Sequence, residues 1–292
     1  MYDFYDAPLY RPPSEAYSLI LQITLGCSNN TCTFCSMYKT KKFRVKSEEE
    51  IDRHIRIAKE NYPHASKIFL ADGNVLTMDY QQLLEIVQRL YSEFPKLERV
   101  TAYAGPQDIL GKTPQELKTL REAGLDMLYM GIESGSEKVL KMVNKGVSQQ
   151  EMIEAGQRAM QAGFVFSCTI ISGLGGQDLW EDHAVETAKV VSAINPQYLA
   201  ALTLLIDDTV PMRRKVEKGE FKLLDPYQTI EELELMLNSF QLENCVFRNN
   251  HPSNYFALKG VLNRDREKLL TILQEAKKMD RNKFRPENYR GF

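Results

Sequence analysis

Residues 18–37 read SLILQITLGCSNNTCTFCSM. An apolar run ends at Gly26, and three cysteines follow within nine residues, at Cys27, Cys32 and Cys35. A short apolar run bounded by a turn residue reads as a buried strand, which puts the cysteines in the loop at its carboxyl end. The same signal recurs at SKIFLADG (66–73), ERVTAYAG (98–105), MLYMGIES (127–134), VFSCTIISG (165–173) and YLAALTLLI (198–206), with helical-period segments between. Helix boundaries are marked too. Ser148 stands three residues before Glu151 as a capping box, Thr113-Pro114 opens an earlier helix, and Gly124 and Gly163 close two of them. Strands spaced by helices of this length call for parallel βαβ units, and near-continuous apolar strands fit a sheet covered by helices.

Six such units are too few to close an eight-stranded barrel. The pattern predicts an α/β fold, a partial (β/α)6 TIM-like barrel over residues 18–215, after an N-terminal segment 1–17. A mainly helical extension over 216–292 is expected to cover the barrel mouth, with helices at 226–243 and 263–280 and an irregular stretch at 244–260. In such folds chemistry sits on the loops that follow the strands.

With 37 basic against 39 acidic residues, the charge balance argues against a dedicated nucleic-acid binder. No run reaches about 18 consecutive apolar residues, so no membrane span is expected. The start of the chain lacks the basic-then-apolar pattern of a signal peptide. Five cysteines, an odd count, point to a reducing cytoplasmic setting where clustered thiols bind metal more often than they form disulfides. Cys168 and Cys245 stand alone in apolar contexts and read as buried small residues. Three thiolates leave one corner of a 4Fe–4S cubane, which usually takes four, without a protein ligand. The competing reading is zinc, which wants four ligands in a structural site; the nearest histidine, His54, lies in a predicted helix.

The cysteine segment resembles the signature of the radical S-adenosylmethionine (radical SAM) enzymes, a Cys-x3-Cys-x2-Cys spacing with an aromatic before the last cysteine. Here the first gap holds four residues, Ser28 to Thr31, and Phe34 supplies the aromatic. The resemblance implies that Cys27, Cys32 and Cys35 hold a 4Fe–4S cluster. Its open iron binds S-adenosyl-L-methionine, whose reductive cleavage gives a 5′-deoxyadenosyl radical that abstracts hydrogen from substrate. Other strand ends carry the same resemblance. Asp72, Gly73 and Asn74 stand where the family has a Gly-Gly-Glu segment that binds the methionine ammonium; an Asx-Gly turn is the alternative. Glu133 and Ser134, in GIESGS (131–136), resemble the segment that contacts the ribose hydroxyls, although Ser134 or Ser136 also suits a helix cap. Ser172 and Gly173, with Leu204 and Phe34, correspond to positions packed on adenine; core packing is the alternative. Arg158 is a candidate for the S-adenosylmethionine carboxylate or a plain surface arginine.

The resemblance covers about residues 16–215 and looks nearest to small members of the group around anaerobic magnesium-protoporphyrin IX monomethyl ester cyclase. No Asp-x-His-x-x-Gly cobalamin motif occurs. Tyr103, Arg44, Lys42, His251 and Asn254 are the candidates to line the space for a small-molecule substrate. The basic run at 39–46 would meet an anionic substrate or a low-potential donor such as flavodoxin or ferredoxin, or is a solvated loop. The tail KKMDRNKFRPENYRGF (277–292) reads as a surface helix end. Three functions stay open: a radical SAM enzyme acting on a small molecule, an activase that places a glycyl radical on a partner protein, and a non-catalytic metal-binding protein on a degenerate barrel.

Overall fold

The computed structural model describes residues 5–291, so four residues of the expected 1–17 segment, and Phe292 at the end of the expected extension, lie outside the described residues. In chain order the strands are β1 (Leu19–Gln22), β2 (Thr24–Leu25), β3 (Arg44–Val45), β4 (Lys67–Ala71), β5 (Arg99–Tyr103), β6 (Leu125–Glu133), β7 (Val165–Ser172), β8 (Tyr198–Thr203), β9 (Cys245–Asn249) and β10 (Leu258–Leu262). The helices are α1 (Glu48–Asn61), α2 (Tyr80–Glu93), α3 (Pro106–Leu110), α4 (Pro114–Glu122), α5 (Glu137–Met142), α6 (Gln149–Gln161), α7 (Gly176–Ile194), α8 (Met212–Glu217), α9 (Pro226–Ser239) and α10 (Arg266–Lys277). The chain divides into two compact units. The first runs up to Asn30 and takes in Cys35–Met130 and Arg158–Phe166; the second comprises Thr31–Phe34, Gly131–Gln157 and the chain from Ser167 onward.

In the first unit β1, β4, β5 and β6 pair in parallel, in that order. Strand order that follows chain order, with a helix after each strand, is the wall pattern of a (β/α) barrel. Phe69, Met127 and Tyr129 form a buried cluster with Tyr103 packed on it. The Phe69 and Tyr103 rings meet edge to face, 5.1 Å between centroids, a favoured aromatic geometry. Burial of a side chain such as Phe69 contributes about 2–3 kcal/mol. In the second unit β7, β8 and β9 run parallel, and β10 closes antiparallel to β9.

The α/β alternation matches the expectation, with two corrections. The first apolar run divides at Ile23 into β1 and β2, because β2 turns away to pair with β3. That pair is antiparallel, with Thr24 opposite Val45 and Leu25 opposite Arg44, and it pins the base of residues 26–43. The stretch 244–260, expected to be irregular, forms β9 and β10. Cys245, Phe247 and Asn249 are buried while Arg248 is exposed, a two-residue alternation too short to stand out beside the Asn, Pro and Ser residues that follow.

Helix signals held. Ser47 and Glu50 form a capping box on α1, as do Thr113 and Glu116 on α4. Ser148 and Glu151 exchange the same bonds at the start of α6; each cap contributes about 1 kcal/mol. Gly124 and Gly163, at φ of 112° and 88°, lie just beyond α4 and α6 in a conformation that favours glycine. Among the described residues no helix is long and apolar enough to cross a membrane.

Candidate functional site

The cysteine loop begins one residue beyond β2. Cys27 and Cys35 are half-buried and Cys32 is buried. Within the first unit, the segment after β4 grips both flanks of Cys27. The Asp72 carboxylate accepts from the Gly26 N–H at 3.0 Å, the Gly73 N–H donates to the Gly26 carbonyl at 2.9 Å, and Asn74 Oδ1 accepts from the Ser28 N–H at 3.0 Å. Gly73 must be glycine to come this near, since a Cβ there would lie 2.9 Å from the Gly26 oxygen and 3.0 Å from Cys27 Cβ. Asp72 is fully buried. It also accepts from Gln22 Nε2 at 3.0 and 3.1 Å, and Lys41 Nζ pairs with it at 2.8 Å. The Asn74 amide donates to Ser28 Oγ and, at 2.8 Å, to Asp108. Asp108 in turn accepts from Thr77 and from the Gly105 N–H, and burial raises its pKa above the ordinary carboxylate value.

The basic run at 39–46 is not a free cationic patch. Lys41 points inward to Asp72, Lys46 is buried and pairs with Asp6 at 3.3 Å, and Lys39 donates to the Asn30 carbonyl. Arg44 forms a two-pronged pair with Glu50 at 2.6 and 2.7 Å. That pair, with a bond from the Ser47 amide, holds the Glu50 carboxyl at about 2, so Arg44 braces the start of α1. Lys42 is exposed. Arg158 donates to the Leu110 carbonyl at 3.4 Å, and Tyr103 packs on the Phe69 cluster.

In the second unit, residues 31–34 are tied down by bonds from the Thr33 amide to the Val143 carbonyl (2.9 Å) and from the Met212 amide to the Thr33 carbonyl (3.0 Å); Phe34 is buried. At the end of β6, Glu133 adopts φ 64°, a left-handed backbone that costs a non-glycine residue about 1–2 kcal/mol. Its carboxylate meets Lys145 Nζ at 3.1 Å. Strain held at a strand end is where functional side chains concentrate. Ser136 caps α5 as expected, accepting from the Val139 N–H. Ser134 is buried beside His183 of α7, its Oγ 2.8 Å from Nδ1, while Nε2 faces the Ile171 carbonyl at 3.1 Å. Since Nε2 must donate to that carbonyl, Nδ1 accepts from Ser134. Burial pulls His183 down to about 4, so the ring is neutral.

Glu232 of α9 is fully buried and accepts from the Gly173 N–H at 2.7 Å. Its other oxygen has no hydrogen-bond partner among the described residues, and burial lifts the carboxyl to about 8. Both groups are neutral near pH 7, so the 4.0 Å approach of His183 to Glu232 is not an ion pair.

Ser172, Gly173, Thr203, Leu204, Tyr255 and Arg290 are among the residues around a cavity of about 250 Å³ in this unit. Ser172 Oγ is buried without a hydrogen-bond partner among the described residues, which marks it as a group that a ligand can satisfy. The tail is not merely surface. Arg290 has only 3% of its side chain exposed, lies 4.1 Å over the Tyr255 ring, and donates to the carbonyls of Leu204 and Ser253 and to Tyr255 Oη. Asn254, expected to face substrate, is buried: it accepts from Thr203 Oγ1 and donates to the Ala201 carbonyl, bracing β8. His251 Nδ1 lies 2.9 Å from Ser253 Oγ, and burial lowers its pKa. Cys168 and Cys245 are fully buried, and burial raises both thiols.

Sequence reasoning missed Gln22, Lys41, Asp108, His183, Glu232 and Arg290. Each is polar and buried or half-buried by tertiary packing, a property no local pattern announces. Lys145 had a signal, its place between Asn144 and Gly146 just after the Glu133 segment. Among the described residues no three His, Cys, Asp or Glu side chains are already gathered as a metal-holding group. The donor set itself is three soft thiols on one loop. That suits an iron–sulfur cluster with one iron lacking a protein ligand and falls one ligand short of structural zinc.

The family model described as the Radical SAM superfamily matches residues 21–188. The heme chaperone HemW of Bacillus subtilis (strain 168) is 24% identical over 190 residues, which cover 63% of this chain and 48% of HemW. The chain thus spans about half the length of that relative. Among solved structures, methylornithine synthase (PylB) aligns with TM-score 0.53 and 18% identity, covering 89% of this chain and 81% of that one. Coproporphyrinogen III oxidase (HemN) from Escherichia coli aligns with TM-score 0.54 and 18% identity, covering 76% of this chain and 51% of HemN. At these identities the structures speak to the fold.

Proposed function

The chain belongs to the radical SAM superfamily, whose members use a 4Fe–4S cluster and S-adenosylmethionine, and we propose that it is an enzyme in which Cys27, Cys32 and Cys35 hold that cluster and S-adenosylmethionine occupies the remaining iron. When bound, cluster and cofactor supply a low-potential electron and a 5′-deoxyadenosyl radical for hydrogen abstraction from a small molecule. The observation that carries this reading is the loop itself. Three thiols lie within nine residues directly after the first strands, with Gly73 packed against Cys27.

The protein's part is binding, orientation and exclusion of water. Glu133, fixed by its left-handed backbone and by Lys145, is set to accept from a ribose diol. Ser172 Oγ, without a hydrogen-bond partner among the described residues, is the donor or acceptor left for a base edge, with Leu204 as an apolar wall. Phe34 shields the same base. In this reading the chain is a small relative of the anaerobic magnesium-protoporphyrin IX monomethyl ester cyclase group, working in the cytoplasm with flavodoxin or ferredoxin as donor.

The test is anaerobic reconstitution with iron and sulfide, then dithionite and S-adenosylmethionine, with 5′-deoxyadenosine measured by liquid chromatography. Wild type is expected to form it, and the Cys35→Ala protein to form none. A carrier reading, favoured by the resemblance to a heme chaperone, predicts cluster uptake and heme binding with no 5′-deoxyadenosine. That outcome would replace the enzyme proposal.

A further inference from the structure

The segment after β4 corresponds to the place where the family contacts the methionine ammonium, yet its polar groups are already engaged. Asp72 is fully buried, both oxygens accept from Gln22, and one also takes the Gly26 N–H and the Lys41 ammonium. An incoming ammonium would have to displace a lysine that already neutralises the carboxylate. Asn74 is 4% exposed; its oxygen holds the Ser28 N–H and its nitrogen donates to Ser28 Oγ and Asp108. Gly73, between them, donates its N–H to the Gly26 carbonyl. The peptide groups on both sides of Cys27 are therefore fixed by three consecutive residues of the neighbouring strand end.

We propose that Asp72 and Asn74 are positioning residues that hold the main chain on either side of Cys27, and that they act through this ligand and do not contact the cofactor. The inference rests on reading Cys27 as a cluster ligand. It also gives the four-residue gap a rationale. Ser28 to Thr31 can vary in length because Cys27 is located by β4 and not by its distance along the chain from Cys32. Lys41 completes the device from within the same loop: its charge, buried against Asp72, draws the far limb of residues 26–43 onto the strand end that holds the near limb.

Groups that orient a metal ligand change affinity about 10–100-fold when removed. The experiment uses the full chain and the variants Asn74→Ala, Asp72→Ala and Asp72→Asn, loaded anaerobically with iron and sulfide. Iron release to a chelator and the KM for S-adenosylmethionine of the loaded fraction are measured together. The positioning role predicts release about tenfold faster for Asn74→Ala and Asp72→Ala, with KM unchanged. Asp72→Asn keeps an acceptor for the Gly26 N–H but loses the charge that holds Lys41, and is expected to restore retention only in part. Wild-type iron retention with a raised KM in the two alanine variants would overturn the proposal in favour of direct cofactor contact.

Asp72→Ala strands a buried Lys41 and can fail to fold. A second readout therefore needs only Asn74→Ala without metal: the alkylation rate of Cys27 relative to Cys35, mapped by mass spectrometry. A rise in that ratio supports the clamp, and an unchanged ratio refutes it. Should wild type take up no iron and sulfide, the functional reading fails by itself, and the alkylation ratio still decides whether the clamp exists.

Discussion

At neutral pH the Glu232 carboxyl stays protonated in the folded chain, because complete burial lifts it from an ordinary 4.5 to about 8. The unfolded chain gives up that proton near 4.5. Across the interval between the two values the folded state binds more protons, so this group's contribution to stability is full below about 4.5 and is lost as pH rises toward 8. The slope is about 1.4 kcal/mol per pH unit. Glu232→Gln removes it. The amide oxygen still accepts from the Gly173 N–H, and its NH2 replaces an O–H with no partner among the described residues, an offset that does not vary with pH. Between about pH 5.5 and 7.5 the variant should gain about 2.7 kcal/mol on wild type, which for a chain of this length is about 4 °C in melting temperature. His183 works in the opposite sense: depressed to about 4 from 6.5, it contributes above 6.5 and loses that contribution as pH falls. It is common to both proteins and drops out of the difference. Calorimetry across the pH series provides the assay. Wild-type and variant melting curves that stay parallel to within about 1 °C would refute the account of Glu232.

Two further outcomes follow from the geometry. Arg290→Ala removes several charge-assisted bonds and a stacked ring contact from a nearly buried site and should cost about 3 kcal/mol in urea unfolding; Arg290→Lys recovers only part, because an ammonium cannot reach all the acceptors of a planar fork. Arg44→Ala breaks a pair whose side chains are nearly half exposed, so the loss in urea unfolding is expected to stay near 0.5 kcal/mol and 5′-deoxyadenosine formation should match wild type.

What could be read from the chain, and what could not, divides along physical lines. The strand–helix alternation was legible because apolar periodicity and caps such as Ser148 with Glu151 are local, and so was the thiol loop, whose spacing lies within one segment. β9 escaped because its five residues alternate beside a stretch rich in turn formers. The roles of Asp72 and Asn254 escaped for another reason: a polar residue at a strand end looks the same in sequence whether it faces a ligand or closes a bond to the backbone behind it. Lys41 was visible only as one charge in a basic run, and its partner lies 31 residues away. Arg290 appeared to belong to a tail, yet aromatic stacking and three carbonyl or hydroxyl acceptors draw it inside.

The conformation of Glu133 has a consequence for how this position tolerates change. A glycine there would relieve the left-handed strain, about 1 kcal/mol, and would also delete the carboxylate that meets Lys145. A screen that rewards heat resistance alone should drift toward glycine, and one that rewards turnover should hold the glutamate. If Glu133 holds a ribose diol as proposed, robustness and chemistry pull one codon in opposite directions.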